Sequence, residues 1–273
     1  VKIFFIGDIV GRPGRNIIIE NLSTIRKEYG IDVVIANGEN ASGGVGLVIH
    51  NAKALFEAGI DVITSGNHIF QHKDYEELFD EFDMIIRPAN YPPGVPGKGV
   101  YVLRKEGCPP IAVINLMGRT FMDPVDCPFR AAERILEELP KDIKITIIDI
   151  HAEATSEKIA MGWFLDGRVS AVIGTHTHVQ TSDERIFPKG TAYITDVGMT
   201  GPTNSIIGVE VDLIIKRYLT KLPVKFSVTR GPSQIDAVSI DIDKETGESN
   251  DITRMRFKRD VMYIDDRKEE NHF

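Results

Sequence analysis

The sequence predicts an α/β protein, and three observations lead there. Short apolar runs alternate with longer amphipathic or polar segments, as in layered strands and helices. The runs are rich in Ile and Val and flanked by glycine, which favours buried strand over short helix. The chain has 273 residues, 42% hydrophobic and 26% charged, enough for a substantial core without disulfide staples. Collagen-like and disordered classes are excluded on the same composition.

The elements follow in order. Strands are expected at 2–7, 32–37, 61–64, 143–150 and 170–174. Between them, 15–29 reads as a helix stopped by Gly30, and 50–58 as another stopped by Gly59. Two further helices are expected over 74–82 and 129–139, the latter ended by Pro140. Residues 87–99 are rich in Pro and Gly and read as a loop, followed by strands at 100–105 and 111–117. From Gly208 the texture turns β-rich, with strands at 224–229 and 237–243. The turn-like 244–250 then leads into 252–258, a hairpin expected to form the antiparallel part of a second sheet. One compact unit over 1–264 is expected, with 265–273 a charged, frayed tail.

The formal charge is −8. Such a surface repels duplex DNA and anionic membranes, so a phosphate-bearing ligand needs a local positive centre. Cys108 and Cys127 lack metal-site spacing and are expected as buried, reduced thiols. No signal peptide or apolar run of membrane-spanning length is seen, and the expected location is the cytoplasm.

Function is written where the strands stop. The predicted strands run into Asp8, into Glu39-Asn40, into Asn67-His68, into His151 and into His176-Thr177-His178. In open α/β sheets the crevice beyond the strand C-termini is where ligands bind. If these strands are parallel neighbours, the side chains converge. Singly each is weak: Asp8 alone serves as a helix N-cap, and Gly38-Glu39-Asn40 alone as a turn. Together, Asp8, Glu39, Asn40, Asn67, His151, His176 and His178 form a donor set suited to first-row transition metals, without thiolate.

Seven donors exceed the needs of one ion and fit two, with Glu39 as the bridge. His176 and His178 are two apart, so extended backbone would project both imidazoles to one side, one for each metal. With a bridging hydroxide, two divalent ions and these carboxylates leave a formal charge of about +1, the local positive centre a phosphate ester requires. Two ions about 3.5–4 Å apart make hydroxide at neutral pH and clamp the oxygens of an in-line displacement. His68 is assigned to transition-state stabilisation or to protonating the leaving alkoxide. Ser42 and Gly43, in the glycine-rich stretch after Asn40, are candidates for phosphate binding, and Arg119 for substrate or subunit contacts. Asp149 shares a strand face with His151 and is placed to orient its ring, or is simply buried.

Several segments carry a family resemblance: Gly7-Asp8-Ile9-Val10-Gly11-Arg12-Pro13-Gly14-Arg15, Asn37-Gly38-Glu39-Asn40-Ala41 and Thr64-Ser65-Gly66-Asn67-His68 near the start, then Gly118-Arg119-Thr120-Phe121-Met122, His151-Ala152-Glu153-Ala154-Thr155-Ser156-Glu157-Lys158, Gly174-Thr175-His176-Thr177-His178-Val179-Gln180-Thr181 and Thr195-Asp196-Val197-Gly198-Met199-Thr200-Gly201-Pro202. With these the chain resembles metallophosphoesterases of the calcineurin-like superfamily, and most closely the YmdB-type branch of cyclic-nucleotide phosphodiesterases.

It departs from the wider superfamily at Val10, where a His is usual, at Glu39 in place of the bridging Asp, and at Ile69, where an acid often follows the Asn-His pair. The resemblance implies a four-layer α/β/β/α sandwich, a homo-oligomer, and two divalent or mixed-valence ions, Fe or Mn first and Zn or Co as alternatives. It implies one ion on Asp8, Glu39, Asn40 and His178 and the other on Glu39, Asn67, His151 and His176, with exchange of single ligands between sites left open. The expected activity is hydrolysis of 2′,3′- or 3′,5′-cyclic nucleotides or of cyclic phosphate ends of RNA. A phosphomonoesterase, a ribonuclease, or a regulatory metal-binding protein with little turnover are the alternatives.

Overall fold

A computed structural model describes residues 1–259. The chain runs β1 (Lys2–Ile6), β2 (Asp8–Ile9), α1 (Gly11–Tyr29), β3 (Val33–Asn37), α2 (Ile49–Glu57), β4 (Val62–Thr64), α3 (Tyr75–Glu81), β5 (Val100–Leu103), β6 (Ile111–Met117) and α4 (Pro128–Glu138). It continues through β7 (Ile145–His151), α5 (Thr155–Leu165), β8 (Ala171–Thr175), β9 (Arg185–Ile186), β10 (Ala192–Ile194), β11 (Met199–Pro202), α6 (Val211–Thr220), β12 (Ser233–Ile242) and β13 (Ser249–Arg259).

Two sheets face each other between outer helices. The first orders its strands β2-β11-β12-β1-β3-β4, with β13 on the free side of β12. The second orders them β5-β6-β7-β8-β10-β9. Strand alternation builds the layers. Ile3 and Phe5 of β1 join Ile147 of β7 and Ile173 of β8 in the core between the sheets. Phe4 and Ile6 point the other way, onto Ile18 and Leu22 of α1 and Leu55 of α2. On the far face of the second sheet, Ile148 and Ile150 pack on Ala132 of α4 and Met161 of α5. The result is a four-layer α/β/β/α sandwich, as the resemblance implies.

Several expectations are corrected. The donor-bearing strands are not all neighbours: β1, β3 and β4 lie in one sheet, β7 and β8 in the other. The convergence is therefore across the sandwich. The β12–β13 hairpin belongs to the first sheet, with β12 antiparallel to β1, because the inward residues Val238 and Ile240 complete the intersheet core there. Residues 224–229 do not form a strand; only Val228 makes a bridge, to Val209. Helix α1 starts at Gly11, ahead of the predicted Arg15, since Pro13 is tolerated in a first turn. Gly14 belongs inside it because any Cβ would sit 2.3 Å from the Thr200 carbonyl.

Helix α5 escapes a periodicity reading because Trp163 is exposed opposite its buried Met161 and Leu165, and Phe164 is exposed at the edge of that buried face. Both cysteines are free but half-buried, not buried. The tail expected at 265–273 lies outside the described residues. No helix among the described residues is long and apolar enough to cross a membrane.

Candidate metal centre

The C-terminal ends of β1, β3 and β4 meet those of β7 and β8 at one edge of the sandwich. There His151 Nε2 lies 3.2 Å from Glu39 Oε1, 3.1 Å from Asn67 Oδ1 and 3.0 Å from His176 Nδ1. The donor atoms of Glu39, His151 and His176 all fall within 4.8 Å of one another. Beside them, Asp8 Oδ1 is 3.9 Å from His178 Nε2. That carboxylate oxygen is buried and has no hydrogen-bond partner. A buried carboxylate oxygen without a proton donor, next to imidazoles whose ring nitrogens face inward, fits a cation far better than it fits a packed core. The donor chemistry fits transition-metal ions.

Each donor is held by identifiable contacts. Asp8 Oδ2 accepts the His176 N–H at 3.1 Å, leaving Oδ1 for the centre. Glu39 Oε2 accepts the His68 N–H at 3.0 Å, and Asn37 Oδ1 accepts the Glu39 N–H at 3.1 Å. Gly66 has no room for a side chain: a Cβ there would meet the His151 ring at 2.2 Å and Glu39 Oε2 at 2.5 Å.

His151 donates from Nδ1 to Thr175 Oγ1 at 2.9 Å, and Thr175 donates to Asp149 Oδ1 at 2.7 Å. Asp149 also accepts from Thr64 Oγ1 and from Asn37 Nδ2. The relay fixes the tautomer and turns Nε2 to the centre. Asp149 thus orients His151 through Thr175 rather than by direct contact.

His176 and His178 overturn the extended-strand expectation: their φ angles are 101° and 64°. The chain is pulled round after β8 because Asp196 Oδ2 accepts both the N–H and the Oγ1–H of Thr177, at 3.0 and 2.8 Å. Left-handed backbone costs non-glycine residues roughly 1–3 kcal/mol each and persists only where the surroundings enforce it. Here a fully buried ion pair does so. Lys158 Nζ lies 2.7 Å from Asp196 Oδ2 and donates to the Thr175 carbonyl at 2.6 Å. The imidazoles have outer partners as well: His176 Nε2 is 3.2 Å from Glu153, and His178 Nδ1 donates to the Ile207 carbonyl at 2.9 Å.

The electrostatics follow the packing. Burial raises the Asp8 carboxyl despite His178 and His151. Burial also pushes Glu39 upward, but the charge and hydrogen bonds of His151 and His68 overcome it and hold Glu39 well below its ordinary value. His151 is lowered by burial, yet Glu39 and Asp8 drive it up to about 9. His176, desolvated and beside His151, falls to about 3. Burial lifts Asp149 to about 7.

The rim holds the remaining candidates. His68 is half-buried, its Nδ1 2.9 Å from Asn40 Oδ1 and 3.2 Å from Glu39 Oε1. Burial lowers its pKa, but the hydrogen bond and charge of Glu39 outweigh that and raise it. Asn40 turns its Nδ2 toward Glu39 and His178, at 3.1 and 3.2 Å. Its oxygen reaches the centre only after a half-turn of the amide. Ser42 Oγ is engaged within its own loop, accepting from Val48 N–H and Asn51 Nδ2. Gly43 is exposed with φ 65°, and Arg119 is exposed just beyond β6, its N–H bound to Glu157.

Sequence reasoning missed Asn37, Glu153, Thr175 and the Lys158–Asp196 pair. Glu153 and Thr175 stand beside recognised donors, and Asp196 lies in one of the segments that carry the family resemblance, which was the available signal. Lys158 gave none, since a lysine on a helix is ordinarily solvated.

Two facing sheets with nitrogen and oxygen donors gathered where their strand ends meet place the protein in the metallophosphoesterase class. The chain belongs to the YmdB-like protein family, whose model matches residues 4–255. It is 48% identical over 265 residues to the 2′,3′-cyclic-nucleotide 2′-phosphodiesterase of Bacillus subtilis (strain 168), covering 97% of this chain and 100% of that one. Among solved structures it resembles a hypothetical protein from Thermus thermophilus, with TM-score 0.89, 44% identity and coverage of 94% and 99%. A novel phosphatase from Mycoplasma pneumoniae also gives TM-score 0.89, at 35% identity and coverage of 95% and 94%.

Proposed function

We propose that this protein hydrolyses 2′,3′-cyclic nucleotides with two transition-metal ions, Fe or Mn first and Zn or Co as alternatives. The observation that carries the reading is the meeting of Glu39, Asn67, His151 and His176 on one point, beside an unsatisfied Asp8 oxygen. The Bacillus relative bears that activity in its name and aligns along its whole length.

In this reading His151 Nε2, His176 Nδ1, Glu39 and Asn67 would hold one ion; Asp8, Glu39, His178 and the Asn40 oxygen would hold the other. Bound there, the ions would supply Lewis acidity for the phosphoryl group and for a water molecule. Asp149 and Thr175 keep His151 in the tautomer that faces the centre. With the Asn40 oxygen turned to the centre, Glu39 Oε1 is left to occupy His68 Nδ1, so Nε2 is free to donate a proton to the departing ribose oxygen. Gly43 offers backbone N–H, and Arg119 a guanidinium, to the ester. Ser42 serves by holding the loop that presents Gly43. The two sheets act as one catalytic unit.

The test is a substrate panel with metal-replete protein: a 2′,3′-cyclic nucleotide, a 3′,5′-cyclic nucleotide, a phosphomonoester and a short RNA. The 2′,3′-cyclic substrate is expected to turn over fastest. Faster turnover of the monoester would favour the second reading, which the Mycoplasma phosphatase structure supports. No turnover of any substrate by protein that binds metal would leave a regulatory metal protein. Glu39→Gln is expected to lower turnover roughly 1000-fold and metal content with it; unchanged metal stoichiometry would remove Glu39 from the centre.

A further inference from the structure

A cavity of about 230 Å³ opens on the His178 side of the metal centre. One imidazole separates the two. His178 Nε2 faces Asp8, while its Nδ1 donates to the carbonyl of Ile207, which lines the cavity. The volume lies below the roughly 300–1,000 Å³ of pockets that enclose a whole drug-sized ligand. It suits one flat group of a substrate whose phosphate sits on the centre.

The lining follows from the fold. Along β12, Val238 and Ile240 face the other sheet, so Gln234 and Asp236 point the same way at the start of the strand. Because β12 runs antiparallel to β1, that start lies beside the crevice, where the Gly7 N–H donates to the Asp236 carbonyl at 2.9 Å. Arg256 of β13 stands directly across from Asp236. The apolar part is Val179 and Ile207, 60 and 49% exposed. Ile207 and Gly208 form the tip of a tight turn closed between Ile206 and Val209, with φ of 47° and 99°. Such tips ordinarily carry Asn-Gly. An isoleucine there takes a backbone conformation that β-branched residues avoid, and its side chain lines the cavity instead of the core.

The polar atoms left over identify the ligand. Asp236, 1% exposed, accepts from Arg256 Nε at 2.5 Å and from Nη2 at 3.1 Å. That pairing takes the side edge of the guanidinium and leaves its end edge, Nη1 and the outer Nη2 hydrogen, as two parallel donors. Gln180 donates from Nε2 to the Val197 and Ala237 carbonyls at 3.2 and 3.1 Å, and Gln234 donates from Nε2 to Asp236 at 3.0 Å. Each amide keeps an Oε1 that accepts no hydrogen bond among the described residues. Guanine matches this set: its O6 and N7 take an arginine fork, and its N1–H and N2 amino group donate. Adenine places an amino group where the fork needs an oxygen. A second phosphate would satisfy the fork but has no hydrogen for the amide oxygens.

We propose that this cavity is a guanine subsite, in which Arg256 reads O6 and N7, the Gln180 and Gln234 oxygens receive N1–H and the amino group, and Val179 and Ile207 lie against the ring. The preferred substrate is then 2′,3′-cyclic guanosine monophosphate. The assignment rests on the cyclic-phosphate reading above for where the phosphate sits.

Initial rates for the four 2′,3′-cyclic nucleotides on the metal-replete full chain test it. For the guanine substrate kcat/KM should be about 10- to 100-fold above that for uracil, with the difference in KM. Arg256→Lys keeps a cation on Asp236 but lacks the fork, and should reduce that ratio about tenfold. Both rates come from one variant, so any general loss of fold or metal cancels. The 7-deaza guanine substrate, lacking N7, should lose about tenfold with wild type and little with Arg256→Lys. Equal kcat/KM for all four bases, a preference for another base, or a guanine preference unmoved by Arg256→Lys would overturn the subsite and leave the phosphodiesterase reading standing. Failure to hydrolyse any of the four would instead overturn that reading, and calorimetric titration with guanosine and uridine would then decide the subsite. Guanosine binding at least about tenfold tighter sustains it; equal or absent binding overturns it.

Discussion

On the first sheet, Asp8 opens the short strand β2 and Glu39 sits in the turn after β3, and each is steadied by a backbone N–H group, from His176 and His68 respectively. On the second sheet, the donors His151, His176 and His178 are steadied by a layer of buried polar side chains: Asp149 and Thr175 behind one ring, Asp196 and Lys158 behind the turn that carries the others. The difference follows from side-chain chemistry. A carboxylate has two oxygens, so one can be anchored to backbone while the other faces an ion. An imidazole must have its tautomer and ring plane fixed from behind, and here that takes hydroxyls, carboxylates and a buried cation.

The imidazole half should therefore break from a distance, and Lys158→Met is the strongest way to show it. It strands the Asp196 charge in the core, so urea denaturation should report a loss of about 3–5 kcal/mol. Adding Asp196→Asn should recover part of that loss; an unchanged deficit would mean the pair is not coupled. Next comes the backbone-held half, where Gly66→Ala drives a methyl into the His151 ring and Glu39. Calorimetric titration with Mn²⁺ should show affinity falling about 100-fold. Thr175→Val removes the hydroxyl between Asp149 and His151, and about a tenfold loss of metal affinity is expected, with little change in melting temperature.

The smallest effect belongs to a carboxylate away from the centre. Burial raises Asp183, but hydrogen bonds from Thr181 and Thr195 outweigh it and hold its carboxyl below the usual value. Its stabilising contribution is complete above the unfolded pKa, about 3.9, and disappears as pH falls through the lower folded value. Asp183→Asn should flatten the acid limb of stability below about pH 4 and leave metal binding untouched.

That Asp8, Glu39 and Asn67 gather at one place was legible because each stands where an apolar run stops. His151, ending β7, was legible for the same reason. The turn at His176 and His178 was not. Two-residue spacing implies a shared face only in extended backbone, and contacts to Asp8 and Asp196 override that geometry. The hairpin of β12 and β13 was visible as a hairpin, but its sheet was not, because an alternating strand carries no label for its neighbour. Helix α6 was hidden for a related reason: its β-branched residues suggested strand.

By itself the sequence determined the alternation of strands and helices, the chemical types of the donors and their positions at strand ends, all of which are properties of short stretches of chain. Tertiary structure alone decided that two sheets share the centre, that His176 and His178 take left-handed backbone, and that Lys158 is buried. Those outcomes depend on contacts such as that between Asp8 and His176, separated by 168 residues. Local pattern holds no information about which distant group will supply the hydrogen bond or charge that makes a costly conformation the stable one.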